Sequence, residues 1–267
     1  MKKFFAMVLA LTMTLSLAAC GGKDSAPAQS AGSAAASVEE AAFTTVESGK
    51  LHMATNAAFP PYEMTTDAGG FEGIDVEVAA AIAEKLGLEL VVDDMDFGSV
   101  ITSVQQGAAD IAMAGLTVNE ARKQNVDFTA TYATGVQVVV VAEGSDVSLD
   151  NLGEKLIGTQ ESTTGYIYAS DEFGEDHVVA YTNGATAIQS LIAGSVDCVI
   201  IDNEPAKAFV AANQGLTILD TEYAVEDYAI GVSKDNTALL EAVDAALQAL
   251  IADGSVQAIV DKYIPAE

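Results

Sequence analysis

Arg122 is a lone arginine; every other basic residue in the chain is a lysine. It stands in Ala114-Gly115-Leu116-Thr117-Val118-Asn119-Glu120-Ala121-Arg122, just past an apolar run. A guanidinium offers a planar fork of donors that matches a carboxylate bidentately and does not lose its charge. Its plainer use would be a surface ion pair with Glu120 or Asp127, which is worth little. Asp202 is the natural counterpart. In Ile200-Ile201-Asp202-Asn203-Glu204 a carboxylate ends an apolar run, where it needs a cation or several donors to stay ionised. Capping the helix that follows is its competing use. Between the two lies Gln160-Glu161-Ser162-Thr163-Thr164-Gly165, ahead of the helical stretch Tyr166 to Ala169. Hydroxyls and free N–H groups at a helix start suit an anion, although a plain N-cap needs no ligand.

Phe59 and Phe97 are placed in loops, where two aromatics can sandwich a ligand side chain, though a lone Phe is more often core. Asp93, Asp94 and Asp96 lack the remainder of a calcium loop and read as a solvated acidic turn. Asp171 to His177 reads as a wet loop, and His52 and His177 have no Cys or His at ligand spacing. No G-x-S-x-G, H-E-x-x-H, Walker A or G-x-G-x-x-G occurs, so no metal, cofactor or catalytic group is expected.

The elements that must position these groups follow an α/β alternation from about Leu51. Asp75 to Leu86 reads as a helix with Asp75 as cap, Val78, Ile82 and Leu86 on one face, and Gly87 ending it. Thr237 to Ala252 reads as another, with Leu240, Val243, Leu247 and Ile251 as its stripe. Val138–Val141, Cys198–Ile201 and Ala229–Val232 read as buried strands, with Cys198 a small core residue. A weak repeat organises the rest. Gly107, Asp110 and Gly115 recur 87 positions later as Gly194, Asp197 and Asp202, each set on a helix end, an apolar strand and the strand's carboxyl end. Ligands in open α/β sheets sit at those ends. Two such units facing each other make a cleft, and an arginine fork and an aspartate on its opposite walls make a receptor for a zwitterion.

The 267 residues suffice for one large domain or two lobes. With 39 acidic against 11 basic residues the formal charge is −28, which argues against nucleic acid and against docking on anionic lipid through a basic face. Lys2 and Lys3 precede an uncharged run from Phe4 to Ala19, the pattern of an export leader, too short for a spanning helix. It ends in Leu17-Ala18-Ala19-Cys20, which resembles the lipobox of bacterial lipoproteins, in which the cysteine is acylated after cleavage. Gly21 to Ser37 is Gly/Ala/Ser-rich and reads as a tether. No later run is long and apolar enough to cross a membrane, so the body is expected outside the cell membrane, held there by lipid on Cys20.

From Leu51 to Pro265 the chain resembles the extracytoplasmic amino-acid-binding proteins of ABC importers. The landmarks are Ala58-Phe59-Pro60-Pro61-Tyr62-Glu63, Gly73-Ile74-Asp75-Val76-Glu77, Met95-Asp96-Phe97, Ala114-Gly115-Leu116-Thr117, Arg122 with Val126-Asp127-Phe128, Thr163-Thr164-Gly165, and Asp202. The resemblance implies an α/β, two-lobe periplasmic-binding-protein (type II) fold, with hinge strands near Tyr132–Gln137 and Ala224–Tyr228. It implies a leader over 1–19, an anchor and tether over 20–42, a first lobe from 43–132 and 228–267, and a second over 133–227. It implies that Arg122 grips the ligand α-carboxylate with Thr117 and the Thr163/Thr164 helix start. Asp202 takes the α-ammonium with the Gly115 carbonyl and the Thr117 hydroxyl, and Phe59 and Phe97 flank the side chain. The implied partners are an amino acid and ABC permease subunits, with the protein a monomer. Glutamine-binding relatives use charged groups where this chain has Asn56, Gln160 and Ile201, and relatives that take lysine or arginine carry an acid where Asn56 stands. A polar uncharged ligand is therefore expected. Basic amino acids or cystine, or a dehydratase-like enzyme on the same fold, are the alternatives.

Overall fold

The structure is a computed structural model and describes residues 43–265. The leader, Cys20 and the tether lie outside the described residues. After β1 (Lys50–Thr55) a small antiparallel sheet forms from β2 (Ala58–Phe59), β3 (Glu63–Thr65) and β4 (Phe71–Glu72), followed by α1 (Ile74–Leu86). The chain continues through β5 (Glu89–Asp94), α2 (Phe97–Gln105), β6 (Ile111–Ala112) and the single turn α3 (Glu120–Lys123). A 17-residue strand, β7 (Val126–Ala142), then leads into β8 (Ile157–Gln160), α4 (Thr164–Phe173), β9 (Val178–Tyr181), α5 (Gly184–Ile192), β10 (Cys198–Asp202), α6 (Asn203–Ala212) and β11 (Leu216–Ile218). Strand β12 (Ala224–Ser233) carries the chain back, and α7 (Thr237–Ala252) and α8 (Ser255–Tyr263) close it.

The strand order β5-β1-β6-β12-β7-β10-β8-β9 is symmetric about the β12–β7 pair, with β11 alongside β7. The 87-residue repeat is the source of that symmetry. Asp110 donates its N–H to the His52 carbonyl at 2.8 Å while its carboxylate accepts the His52 N–H at 2.7 Å. Asp197 makes the same pair with Leu156, both bonds at 2.8 Å. One device thus pins the entry of β1 and of β8 in equivalent places. Two lobes result, each with its own core. Leu51, Met53, Ile74, Ile82, Ile111, Ile230 and Leu247 pack in the first, and Val138, Val140, Ile188, Val199 and Leu216 in the second. Among the described residues only β7 and β12 run through both. They pair antiparallel, with Gln137 opposite Ala224 and Ala133 opposite Tyr228, and the ladder breaks register just beyond, at Tyr228/Ala229. The stretches expected as hinges therefore lie side by side. Val138 to Val141 are buried on both faces, which is why this part of β7 is a near-continuous β-branched run.

Two local readings change. Asp75 does not cap α1. Gly73 precedes the helix, and the first free N–H groups, of Ile74 and Asp75, donate to the carbonyls of Pro61 and Tyr62 at 3.0 and 2.9 Å. Backbone thus satisfies the helix start, and the Asp75 carboxylate turns into the core. On α7 the bounds are as read, but the buried face is Leu239, Val243, Ala246, Leu247 and Leu250, with Ile251 exposed. Packing of this helix against α1 rolls it by about one position.

Candidate functional site

A cavity lies between the two lobes at the carboxyl ends of β6 and β10. All ten residues singled out as ligand contacts line it: Asn56, Phe59, Phe97, Gly115, Thr117 and Arg122 on the first lobe, and Gln160, Thr163, Thr164 and Asp202 on the second.

Arg122 is buried, 7% exposed, at the end of α3, which Asn119 caps by accepting the Arg122 N–H at 2.8 Å. Its Nη1 donates to the Thr117 carbonyl at 2.9 Å and its Nη2 to the Ser162 carbonyl at 3.3 Å, and its guanidinium lies 5.3 Å from the Phe97 ring centroid. The surface pairing does not form, because Glu120 binds Lys123 and Asp127 binds Lys234. Burial pulls the Arg122 pKa down to about 10, with the Glu226 carboxylate acting in the opposite sense, so the group is cationic at neutral pH. A desolvated cation held by neutral carbonyls leaves an unmet demand for an anion.

Asp202 is 1% exposed, and its two oxygens are divided between the helix that follows and the hinge strands. Oδ1 accepts the Glu204 N–H at 3.1 Å and so caps α6, while Oδ2 accepts the Tyr228 hydroxyl at 2.7 Å and the Val136 N–H at 2.9 Å. Burial raises its pKa to about 6 against the pull of those three bonds. Gly135 makes the arrangement possible. A Cβ there would stand 2.6 Å from Asp202 Oδ2 and collide with the Tyr228 hydroxyl. Gly135→Ala is expected to cost about 1–3 kcal/mol by overpacking, read by denaturant unfolding, and to separate Tyr228 from Asp202.

The remaining contacts sort by element. Phe59 sits on β2 and Phe97 is the first residue of α2, so neither is on a loop as expected. Phe59 is drawn into a strand by its pairing with Glu63, and Phe97 opens the helix that follows the N-cap residue Asp96. Gly115 has φ +53° and its N–H donates to Asp75 Oδ2 at 2.8 Å, while Tyr132 donates to Oδ1 at 2.8 Å. A Cβ on Gly115 would lie 2.8 Å from the Phe59 ring, so glycine is needed there on both counts. The Thr163 hydroxyl is engaged as a cap, accepting from Tyr166 N and donating to the Gln160 carbonyl at 2.7 Å. Gln160 Nε2 donates to Asn56 Oδ1 at 3.0 Å and so joins the walls, and Asn56 Nδ2 donates to the Met95 carbonyl.

Three of the six other lining residues carry polar side chains that the sequence reading does not assign to the site. Glu63 is fully buried with neither oxygen hydrogen-bonded, and burial beside Asp75 pushes its pKa well above the usual range. Gln137, an amide inside a valine run, carried a signal in that interruption. Tyr228 had none beyond its place at the end of an expected hinge stretch. Asp93 and Asp94 bind His52 Nδ1 and the Ala57 N–H, each at 2.8 Å, and among the described residues no three His, Cys, Asp or Glu side chains form a group that could hold a metal.

A two-lobed α/β body with a polar, two-signed cleft at the crossing of two hinge strands defines a solute-binding protein of the type II periplasmic fold. Residues 51–266 match the bacterial extracellular solute-binding proteins, family 3, and the chain belongs to that family. It is 29% identical to a probable histidine-binding protein of Neisseria gonorrhoeae, covering 100% of this chain and 97% of that one. It is 30% identical to the arginine-binding extracellular protein ArtP of Bacillus subtilis over the whole of both. Among solved structures, an ancestral arginine-binding protein bound to glutamine superposes with a TM-score of 0.77 at 35% identity, covering 82% of this chain and 99% of that one. The chain is thus an amino-acid-binding protein of the ABC-import type, placed outside the cytoplasm by its family.

Proposed function

We propose that this chain captures a free amino acid with a polar, uncharged side chain and delivers it, by closing its two lobes, to an ABC permease, without transforming it chemically. The observation that carries this reading is the pair of buried groups, Arg122 on one lobe and Asp202 on the other, neither in an ion pair among the described residues and both facing one cavity. Arg122 takes the α-carboxylate with Thr117 and the Thr163/Thr164 start of α4. Asp202 takes the α-ammonium with Gly115 and the Thr117 hydroxyl. Because the two ends are held by different lobes, the full set of bonds exists only when the cleft is shut, and the ligand shifts an open–closed equilibrium by that difference in affinity.

The side-chain end is lined by the amides of Asn56 and Gln160. Neutral donors and acceptors suit a carboxamide or hydroxyl, and one structural relative is described with glutamine bound. Of the two acids an enzyme on this fold would draw on, Asp202 already accepts three hydrogen bonds and Glu204 is engaged by Lys207 and Asn203 outside the lining. Residues 1–19 serve as leader, Cys20 as the lipidated anchor and 20–42 as tether. The body works as a monomer whose lobes divide near 132 and 228.

The test is a thermal-shift screen of the refolded protein, stripped of carried-over ligand, against the twenty amino acids. A ligand at a thousand times its Kd adds about 4 kcal/mol. Glutamine, asparagine, serine or threonine is expected to give the largest rise. A dominant response to arginine, histidine or cystine would move the side-chain assignment, and a folded protein that answers to no amino acid would overturn the reading.

A further inference from the structure

Glu226 stands behind the cavity, outside its lining, on the hinge strand β12 opposite Gly135. It is 4% exposed. Its Oε2 accepts the Thr117 hydroxyl at 3.0 Å and the Gln137 Nε2–H at 3.1 Å, while Oε1 is buried with no hydrogen-bond partner. Thr117 belongs to the first lobe and Gln137 to the part of β7 that pairs with Asp202 in the second, so one carboxylate oxygen ties both walls together at the hinge. Backbone geometry fixes the contact. Residues 116–118 run antiparallel to β12, with Val118 N donating to the Asp227 carbonyl at 2.9 Å and Ala229 N to the Leu116 carbonyl at 3.2 Å. A carboxylate withdrawn from water is costly to keep where packing alone would serve, so its role lies in the groups it orients.

We propose that Glu226 is a positioning residue that makes the site select for an α-ammonium. A threonine hydroxyl has one proton and two lone pairs. Donation of that proton to Glu226 leaves Thr117 Oγ1 with only lone pairs to offer the cavity, which a ligand N–H can meet and a ligand acceptor cannot. The same carboxylate holds the Gln137 amide by its nitrogen, which leaves Oε1 at the start of α4, where a Cβ on Gly165 would approach it to 2.9 Å. Its charge also acts on Arg122 and on Asp202, so it disfavours a second negative group at the ammonium end. This inference rests on the amino-acid reading of the cleft given above.

The experiment is titration calorimetry with the best amino-acid ligand and with its des-amino analogue, the same carboxylic acid lacking the α-ammonium. In the wild-type protein the amino acid binds far more tightly than the analogue. Glu226→Gln is expected to weaken the amino acid about tenfold, the size of one charge-assisted hydrogen bond, and to leave the analogue within about twofold, so the discrimination narrows. Thr117→Val should narrow it equally, Thr117→Ser should keep it, and adding Glu226→Gln to Thr117→Val should cost nothing further. The threonine variants carry the test if Glu226→Gln does not fold. Equal weakening of both ligands, unchanged discrimination, or additive effects of the two substitutions would overturn the positioning role while leaving the amino-acid reading intact. Absence of any amino-acid binding by the wild-type protein would overturn both.

Discussion

Arg122→Ala is expected to abolish measurable amino-acid binding while leaving the fold and its melting temperature nearly unchanged. Truncating one partner of a buried, hydrogen-bonded charge pair costs about 2–5 kcal/mol or more, which at about 1.4 kcal/mol per decade is thirtyfold to several thousandfold in Kd. The empty protein loses far less. Arg122 is a desolvated cation whose hydrogen bonds go to two neutral carbonyls, so its removal relieves a burial cost along with the contacts it makes. Arg122→Lys should fall between, since an ammonium keeps the charge but not the fork. Calorimetry and thermal unfolding on the same samples separate the two effects. Near-native affinity in Arg122→Ala would remove Arg122 from the site, and a collapse of the melting temperature would make it a structural residue.

Acidification is expected to move affinity and stability in opposite directions. Burial raises Asp202 and Asp75 to about 6 and Glu63 well above its ordinary range. The unfolded chain titrates such groups near 4. The folded state therefore binds protons more tightly, and the stabilisation from this is fully present below about pH 4 and lost as pH rises through about 6. Between pH 7 and 5 Asp202 and Asp75 should each add on the order of 1 kcal/mol, raising the melting temperature by several degrees. Exposed carboxylates held below their ordinary range by ion pairs, such as Glu47 and Asp146, titrate below that window and do not oppose it there. Ligand binding reverses the sign. The α-ammonium needs Asp202 ionised, so affinity should fall about tenfold over the same interval, and Asp202→Asn should abolish the pH dependence together with most of the binding. A melting temperature that falls from pH 7 to 5, or a flat affinity, would contradict the burial of these carboxyls.

Much of this was legible in the chain because the site is built on the carboxyl ends of strands. A residue closing an apolar run, as Asp202 does, announces its own position, and the helix over Thr237–Ala252 declares itself through its apolar stripe and the Gly254 beyond it. Asp75 was misread because an acid at a helix start has two uses, and only the fold shows that Pro61 and Tyr62 supply the cap. Phe59 and Phe97 read as loop residues but fall in β2 and α2, since two-residue strands such as β2 arise from pairing and not from propensity. Glu63 and Glu226 were passed over for a plainer reason. Each is an acid within a stretch that pattern alone would orient toward water, and their burial follows from the crossing of distant segments.

The most direct measurement is small-angle X-ray scattering of the stripped protein with and without its ligand, alongside Arg122→Ala. Closure of the lobes on a zwitterion predicts a smaller radius of gyration on saturation, and no contraction in Arg122→Ala at the same concentration. Identical curves for the empty and the saturated wild-type protein would contradict it.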